Sequence, residues 1–122
     1  MCKILIVDDS PNIRRLIRSS IENHTDWIVC GEAENGKIAV ELVGTLRPHL
    51  VILDLSMPVM NGLDAAREIL AIAPGTPMVM FTMHESDILR KDAQRVGIKR
   101  VFSKENGFGD DVLGAIGEML AV

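Results

Sequence analysis

Four short apolar segments of this chain each lead into a side chain that can hold a cation or a phosphate. Asp54 follows the apolar segment 50–53, and the pair Asp8-Asp9 follows the apolar segment 4–7. The other two such side chains are Thr82, after the segment 78–81, and Lys104, which comes shortly after the apolar pair 101–102. Carboxylates and hydroxyls suit hard divalent cations, and an ammonium group suits phosphoryl oxygens. These residue types predict a metal and phosphoryl site if the fold brings them together.

Three neighbouring carboxylates raise one another's pKa unless a cation compensates their charge. Mg²⁺ binds one or two carboxylates, keeps several waters and shares phosphate oxygens. Together with Mg²⁺ and Lys104, the carboxylates of Asp8, Asp9 and Asp54 carry a formal charge of about zero. Such a site can accept a dianionic phosphoryl group, so that Asp54 acts as a nucleophile and forms an acyl phosphate. Lys104 and the Thr82 hydroxyl would contact the phosphoryl oxygens.

Each of these residues, taken alone, also has an ordinary structural explanation. An acidic pair before a helix most often caps that helix or lies in a solvated turn. A lone lysine or threonine at a strand end is usually solvated. The occurrence of all of them at the ends of different apolar segments is what favours a functional site.

Apolar segments alternate with helical periodicity along the whole chain. The predicted strands are about 3–7, 27–31, 50–53, 78–81 and 100–103. The predicted helices begin near Pro11, Asn35, Asn61, Glu85 and Asp110. We expect helix one to turn Ile13, Leu16, Ile17 and Ile21 inward. Its arginines, Arg14, Arg15 and Arg18, would then lie off that apolar stripe.

This alternation predicts an α/β fold with a five-stranded parallel sheet covered by helices on both faces. In such sheets, ligands bind beyond the carboxyl ends of the strands, where the strand order reverses. The predicted site residues all follow strand carboxyl ends, so we expect them to meet at one edge of the sheet. With 122 residues, the chain is expected to form a single domain, 1–122, with no output domain.

Composition narrows the class of protein. The chain is 48% hydrophobic and 25% charged with a net charge of −4, which is typical of a globular domain and argues weakly against nucleic-acid binding. No apolar run approaches the ~18 residues needed to span a bilayer, and no secretory leader is recognisable. Cys2 and Cys30 have no metal or redox spacing, so we expect reduced thiols, no membrane association and a cytoplasmic location.

The motifs ILIVDDS, VILDLSMPVMNG, MVMFT and VFSK resemble, in their order and spacing, the receiver domains of bacterial two-component response regulators. The resemblance covers essentially the whole chain. It implies a flavodoxin-like three-layer α/β/α sandwich with strand order 2-1-3-4-5. Within that family, the DLSMPVMNG stretch and the FTMH loop resemble those of receivers joined to helix-turn-helix DNA-binding domains.

The resemblance implies a role for each site residue. Asp54 would be the phosphoacceptor, Asp9 a direct Mg²⁺ ligand, and Asp8 the acid that holds metal-bound water. The backbone carbonyl of Ser56 would complete the ligands, with Thr82 and Lys104 sensing the phosphoryl group. The donor would be a sensor histidine kinase or a phosphotransfer protein. The chain would be a signalling switch rather than a turnover enzyme, and it would regulate transcription and contact DNA only through an output domain outside this sequence.

Two positions depart from the family's pattern. Glu105 stands where proline commonly follows the lysine, and a cis bond without proline costs about 3 kcal/mol, so we predict a trans Lys104–Glu105 bond. Val101 stands where an aromatic residue is common, and strand alternation places Phe102 on the opposite face. The family transmits its signal through helix four, strand five and helix five, a surface that can also form a homodimer. The predicted signalling residues are Met83, His84, Ile88, Leu89, Val101 and Phe102.

Three alternatives remain open. A phosphatase of the haloacid-dehalogenase type also uses an aspartate nucleophile with Mg²⁺. That family carries a D-x-D motif after its first strand, whereas this chain has D-D there. A flavin carrier of this fold would need a Ser/Thr-rich phosphate loop and flanking aromatic rings, and aromatic residues make up only 3% of the chain. A degenerate receiver that only binds partners would lack some site residues, yet all five are present.

Overall fold

The structure, a computed structural model, describes residues 1–121, in which five β-strands alternate with five α-helices. The domain predicted over residues 1–122 is therefore covered except for Val122, which lies outside the described residues. No helix in the described part of the chain has the length and apolarity required to cross a membrane. The strands are β1 (Lys3–Val7), β2 (Ile28–Ala33), β3 (Leu50–Leu53), β4 (Met78–Thr82) and β5 (Arg100–Ser103). The helices are α1 (Pro11–His24), α2 (Gly36–Leu46), α3 (Gly62–Ile72), α4 (Asp87–Val96) and α5 (Asp110–Leu120).

The five strands form one parallel sheet in the order β2-β1-β3-β4-β5, as predicted. Its register aligns Val7 with Leu53, Leu53 with Met80, and Met80 with Val101. Because these four residues lie side by side, the residues that follow them emerge together at the carboxyl edge of the sheet. The strand order reverses between β1 and β3, which is where ligands bind in folds of this kind.

Helices bury both faces of the sheet, which explains why β1, β3 and β4 are apolar at nearly every position. On one face, Leu5, Val51 and Met80 pack against α2, α3 and α4. On the other face, alternate strand residues such as Ile6 and Phe81 pack against α1 and α5. The rings of Phe81 and Phe108 meet edge to face, with centroids 5.3 Å apart. The core therefore has two layers, one on each side of the sheet.

Side-chain caps set the starts of four helices. Ser10, Asn35, Asn61 and Ser86 each accept a hydrogen bond from the backbone amide three residues ahead. These contacts satisfy amides that have no partner within the helix. Sequence periodicity predicts helices that begin near Asn35, Asn61 and Glu85, whereas α2 and α3 begin one residue later and α4 begins two residues later.

The apolar stripe predicted for α1 is wrong at one position. Ile17 and Ile21 are buried and Ile13 is partly buried, whereas Leu16 is 46% exposed. A helix that packs against a sheet on one side buries residues at spacings of three and four, and the buried set here keeps to the spacing of four. Leu16 lies about 100° around the helix from Ile17 and so faces outward.

Two of the arginines on α1 are engaged with β2 rather than lying free on a solvated face. Arg14 Nε donates to Glu32 Oε1 at 2.9 Å, and Arg18 Nε donates to Glu32 Oε2 at 2.8 Å. Both oxygens of this single carboxylate are therefore held by guanidinium groups of α1. Burial alone would raise the pKa of Glu32, but the two guanidinium groups outweigh it and hold that pKa below its ordinary range.

Close backbone contacts fix the loop between β3 and α3. The Gly62 amide donates to the Leu55 carbonyl at 2.8 Å, and the Gly36 amide donates to the Met60 carbonyl at 3.1 Å. A Cβ atom at Gly62 would lie 2.1 Å from the backbone oxygen of Asp54. Only glycine therefore permits α3 to start this close to the strand end that carries Asp54.

The Glu32 contacts predict a pH-dependent contribution to stability. A carboxyl group whose pKa is lowered by folding stabilises the folded state above its unfolded pKa, and this stabilisation is lost as the pH falls through the folded pKa. We therefore expect Glu32→Gln to reduce the free energy of unfolding at pH 7, and the deficit to shrink as the pH falls from about 5 towards 3. Urea unfolding of both proteins across this range measures the difference. A deficit that stays constant with pH would contradict this assignment.

The close approach of Gly62 to the Asp54 backbone predicts that a larger residue at position 62 destabilises the fold. Gly62→Ala places a methyl group against the Asp54 backbone, so we expect it to lower the free energy of unfolding by about 3 kcal/mol. Gly114 is the matched control, because it is an exposed helical glycine with no atom within 4 Å of an added Cβ. Gly114→Ala should raise the same free energy by roughly 0.5–1 kcal/mol. Urea unfolding compares the two variants, and equal effects would refute the contact.

Candidate functional site

Three carboxylates meet at the carboxyl edge of the sheet. Oxygen atoms of Asp8, Asp9 and Asp54 lie within 4.8 Å of one another. Asp8 and Asp9 follow β1, and Asp54 follows the neighbouring strand β3. Asp8 is 1% exposed and Asp54 is 5% exposed, whereas Asp9 is exposed to solvent. The predicted clustering of these residues is therefore confirmed.

The ammonium group of Lys104 bridges the two buried carboxylates. Lys104 Nζ lies 2.8 Å from Asp8 Oδ2 and 2.9 Å from Asp54 Oδ2. Lys104 follows β5 at the far edge of the sheet, and its side chain extends across β4 to reach both acids, because strand order separates β5 from β3 by one strand. The side chain is only 10% exposed, so its charge acts in an environment that solvent screens weakly.

Burial and charge act in opposite directions on these groups. Burial raises the pKa of Asp8 above its ordinary range, although hydrogen bonds from Lys104 and from the Ser10 amide oppose that rise. Burial would lower the pKa of Lys104, but the carboxylates of Asp8 and Asp54 outweigh it and raise that pKa. Lys104 therefore stays positively charged, and a further cation near Asp8 would stabilise the charged form of its carboxylate.

Backbone hydrogen bonds orient the two buried carboxylates. The Ser10 amide donates to Asp8 Oδ1 at 2.9 Å, and the Leu55 amide donates to Asp54 Oδ1 at 2.7 Å. The main chain of Asp54 is held as well, since its amide donates to the Val7 carbonyl at 3.0 Å. Each carboxylate thus keeps one oxygen on a backbone amide and the other on Lys104.

Thr82 and Ser56 occupy different environments beside this cluster. Thr82 is fully buried at the end of β4, and its hydroxyl oxygen accepts a hydrogen bond from the His84 amide at 3.2 Å. The hydroxyl proton remains the group that Thr82 can offer to a ligand. Sheet register pairs Thr82 with Ser103, the residue before Lys104. Ser56 is exposed in the loop after β3.

The turn that carries Lys104 is built without proline. Residues Lys104–Asn106 form a short 3-10 helix, and the Ser103 hydroxyl caps it by accepting from the Glu105 amide at 3.1 Å. No cis peptide bond occurs among the described residues, so the Lys104–Glu105 bond is trans, as predicted. The serine cap supplies the local order that a proline would otherwise give.

The six predicted signalling residues do not share one exposed surface. Met83, His84 and Ile88 are exposed around the start of α4, whereas Leu89 and Val101 are buried in the core beneath α4. Leu89 is on the inner face of α4, and Val101 is on the α4 side of β5. A part in signalling for these last two residues would be exerted from within the core, and it stays a prediction.

Phe102 lies on the opposite face of β5 from Val101, as strand alternation predicted. Its ring packs on the layer of core formed with α1 and α5. The guanidinium carbon of Arg100 lies 5.0 Å from the centre of the ring, a favourable cation–π distance. Phe102 is therefore held away from the α4 side of β5.

Two residues that position the site escaped the sequence reasoning. Gly62 was present in the quoted motif, but nothing in the sequence shows that its missing side chain makes room for the Asp54 carbonyl. The sequence predicts only that Arg14 lies off the apolar stripe of α1, yet its Nη1 donates to the Asp8 carbonyl at 2.5 Å. That contact joins α1 to the end of β1, and no spacing rule predicts it.

The donor set fits a hard divalent cation. Mg²⁺ prefers oxygen ligands, and the three clustered carboxylates are oxygen donors close enough to share one ion. One of them is exposed, which leaves room for the waters that Mg²⁺ retains. Beside the cluster, a cleft of about 430 Å³ is lined by Leu55, Ser56, Met57, Asn61 and His84.

Comparison with known proteins agrees with the fold. The family model of the response regulator receiver domain matches residues 4–113. The chain is 37% identical over 105 residues to the transcriptional regulatory protein YdfI of Bacillus subtilis, covering 86% of this chain and 49% of that protein. It is 38% identical over 109 residues to a protein-glutamate methylesterase/protein-glutamine glutaminase of Methanococcoides burtonii, covering 88% of this chain and 31% of that protein. The chain thus spans less than half the length of either relative.

Solved structures show the same likeness. The response regulator domain of Thermotoga maritima CheB superposes with a TM-score of 0.90 at 26% identity, covering 100% of this chain and 98% of that chain. A two-component response regulator of the LuxR family from Aurantimonas superposes with a TM-score of 0.90 at 28% identity, covering 99% of this chain and 86% of that chain. The chain belongs to the response regulator receiver domain family of two-component systems.

Proposed function

We propose that Asp54 accepts a phosphoryl group in a Mg²⁺-dependent reaction and that the acyl phosphate switches the partner-binding surface of the domain. The observation that carries this proposal is the Lys104 ammonium group shared between Asp8 and Asp54. It places a fixed positive charge beside a candidate nucleophile and beside a cluster of oxygen donors. These are the parts that phosphoryl transfer requires.

Position favours Asp54 over the other two carboxylates as the nucleophile. Asp54 emerges at the centre of the sheet, with β1 on one side and β4 and β5 on the other. A group attached to it can therefore contact Asp9, Thr82 and Lys104 at once. Asp8 follows β1, which lies one strand further than β3 from the strands that carry Thr82 and Lys104.

The transfer balances with the residues present. An oxygen of the Asp54 carboxylate attacks phosphorus, the bond from phosphorus to the donor's imidazole nitrogen breaks, and the nitrogen keeps the electron pair. The donor would be a phosphohistidine on a sensor kinase or on a phosphotransfer protein. Lys104 then exchanges a carboxylate contact for a phosphoryl oxygen, and the Thr82 hydroxyl donates to another. Mg²⁺, when bound, neutralises charge on the transferred oxygens.

Asp8, Asp9 and Asp54, with the Ser56 carbonyl, are the residues that we propose to hold Mg²⁺. Asp9 is exposed and can bind the ion directly, while the buried Asp8 can order its bound water. The compensating cation would also relieve the unfavourable burial of the Asp8 carboxylate, whose pKa is raised.

The exposed residues around the start of α4 are the proposed reporting surface. The His84 amide is bonded to the Thr82 hydroxyl, so a change in that hydroxyl's partner acts directly on the loop that carries Met83 and His84. Ile88, in the first turn of α4, is 75% exposed and available to a partner. We propose that partners, including a second copy of the chain, bind through α4, β5 and α5.

We propose transcription regulation as the output, through a domain outside this sequence, on the likeness to YdfI. A second candidate is control of a methylesterase domain, which the likeness to the Methanococcoides burtonii protein supports. In either case the present chain supplies the switch rather than turnover catalysis. We propose a cytoplasmic location, where a kinase could reach the site.

The proposal predicts a single, site-specific modification. With Mg²⁺ and acetyl phosphate, intact-mass analysis should show one added phosphoryl group, because one carboxylate is positioned to attack. The group should be absent from Asp54→Asn and after Mg²⁺ is chelated. It should be released by hydroxylamine, which cleaves acyl phosphates. Asp111→Asn, which changes an exposed acid on α5, is the matched control and should react like the wild type.

Two outcomes would count against the proposal. An unchanged mass in the wild type, or an equal gain in Asp54→Asn, would remove Asp54 as the acceptor. Steady release of inorganic phosphate from phosphoesters over many turnovers would favour the phosphatase alternative.

A further inference from the structure

We infer that Arg14 is a positioning residue for the metal-binding acids, because it fixes the peptide group that joins Asp8 to Asp9. This inference rests on the proposed function. It concerns a side chain of α1 whose hydrogen bond to the acidic pair is made to the backbone and not to the carboxylate groups.

Arg14 makes two hydrogen bonds in different directions. Its Nη1 atom donates to the Asp8 carbonyl at 2.5 Å, and its Nε atom donates to Glu32 Oε1 at 2.9 Å. The side chain is 17% exposed, so both contacts are largely shielded from solvent. Glu32 lies on β2 and is held in turn by Arg18. The guanidinium group therefore anchors the end of β1 to β2 through a carboxylate that is itself fixed.

The position of this carbonyl determines where Asp9 points. The Asp8 amide already donates to the Ala33 carbonyl at 3.0 Å, which fixes the preceding peptide group. The Asp8 carbonyl belongs to the next peptide group, and that group is planar, so holding its oxygen also sets its amide nitrogen and the path of the chain into Asp9. Asp9 is exposed, so the backbone that leads into it sets the position from which its carboxylate can reach an ion.

Arg18 provides a natural comparison on the same helix. It also contacts Glu32, at 2.8 Å, but its other partner is Glu22, at 3.2 Å. Loss of the Arg18 contact weakens the link between α1 and β2 without touching the Asp8 carbonyl. An effect that is specific to the acidic pair should therefore appear when Arg14 is substituted and be absent when Arg18 is substituted.

A positioning role and a purely electrostatic role for Arg14 predict opposite effects on Mg²⁺ affinity when Arg14 loses its charge. If Arg14 acted only through its charge, removing it would strengthen Mg²⁺ binding, because like charges repel. If it acts by positioning, both Arg14→Met and Arg14→Lys should weaken binding. Lysine keeps the charge but lacks the planar fork that donates in two fixed directions.

The test compares Arg14→Lys with Arg18→Lys, and both with the wild type. Mg²⁺ affinity is measured by calorimetry, and stability without Mg²⁺ is measured by urea unfolding. We expect Arg14→Lys to raise the Mg²⁺ dissociation constant roughly tenfold, at the low end of effects seen for residues that orient metal ligands. Arg18→Lys should stay within about twofold of the wild type. Phosphorylation of Arg14→Lys by acetyl phosphate should need more Mg²⁺ for half-saturation and reach the wild-type rate at saturation.

Each result decides the inference. Equal Mg²⁺ affinity in Arg14→Lys and the wild type would overturn it, as would equal losses in the two lysine variants or tighter binding in Arg14→Met. If the wild type itself binds no Mg²⁺ and gains no phosphoryl group, the proposed function fails and this inference fails with it. If the wild type does both while Arg14→Lys is unaffected, only the role of Arg14 is refuted.

Discussion

Lys104 holds its ammonium group against two carboxylates that reach the same point from different strands, at 2.8 Å from Asp8 and 2.9 Å from Asp54. Both acids are almost completely buried, and an uncompensated buried carboxylate is strongly disfavoured. Removing one partner of a buried pair of this kind typically costs about 3–5 kcal/mol. The ends of β1, β3 and β5 are therefore tied together by charge. A transferred phosphoryl group would compete for the same cation.

The surroundings of this contact are fixed mainly by the backbone. Gly62 lies against the Asp54 carbonyl with no room for a side chain, and Gly36 donates to the Met60 carbonyl. Between them, Val59 adopts φ = 69° in a turn closed by the Met60 amide and the Pro58 carbonyl at 2.7 Å. A β-branched residue with such a φ angle is strained by about 1–3 kcal/mol, and persists only where neighbouring contacts enforce it. The contacts of this loop hold Asp54 in place.

The successes and failures of sequence reasoning have physical causes. Apolar runs predicted β1, β3 and β4 well, because central strands of a parallel sheet are buried on both faces. Helical periodicity was less reliable at the surface of α1, where Leu16 fits an apolar stripe but faces outward. Leu89, which the sequence predicts to be a signalling residue, lies in the core, because a helix of few apolar residues must turn most of them inward. The starts of the helices were displaced, because caps such as Asn61 end the loop rather than begin the helix.

The sequence by itself determined the fold class, the strand ends and the chemical types of the side chains that those ends carry. It did so because hydrophobic periodicity and strand direction are local properties that the order of residues encodes. Only the tertiary structure decided that Lys104 bridges two carboxylates, that Gly62 leaves room for the Asp54 carbonyl, and that Arg14 reaches the Asp8 carbonyl while bound to Glu32. Those contacts join residues from different helices and strand ends, and they depend on sheet register and on the rotation of each helix. Neither quantity can be read from the spacing of residue types.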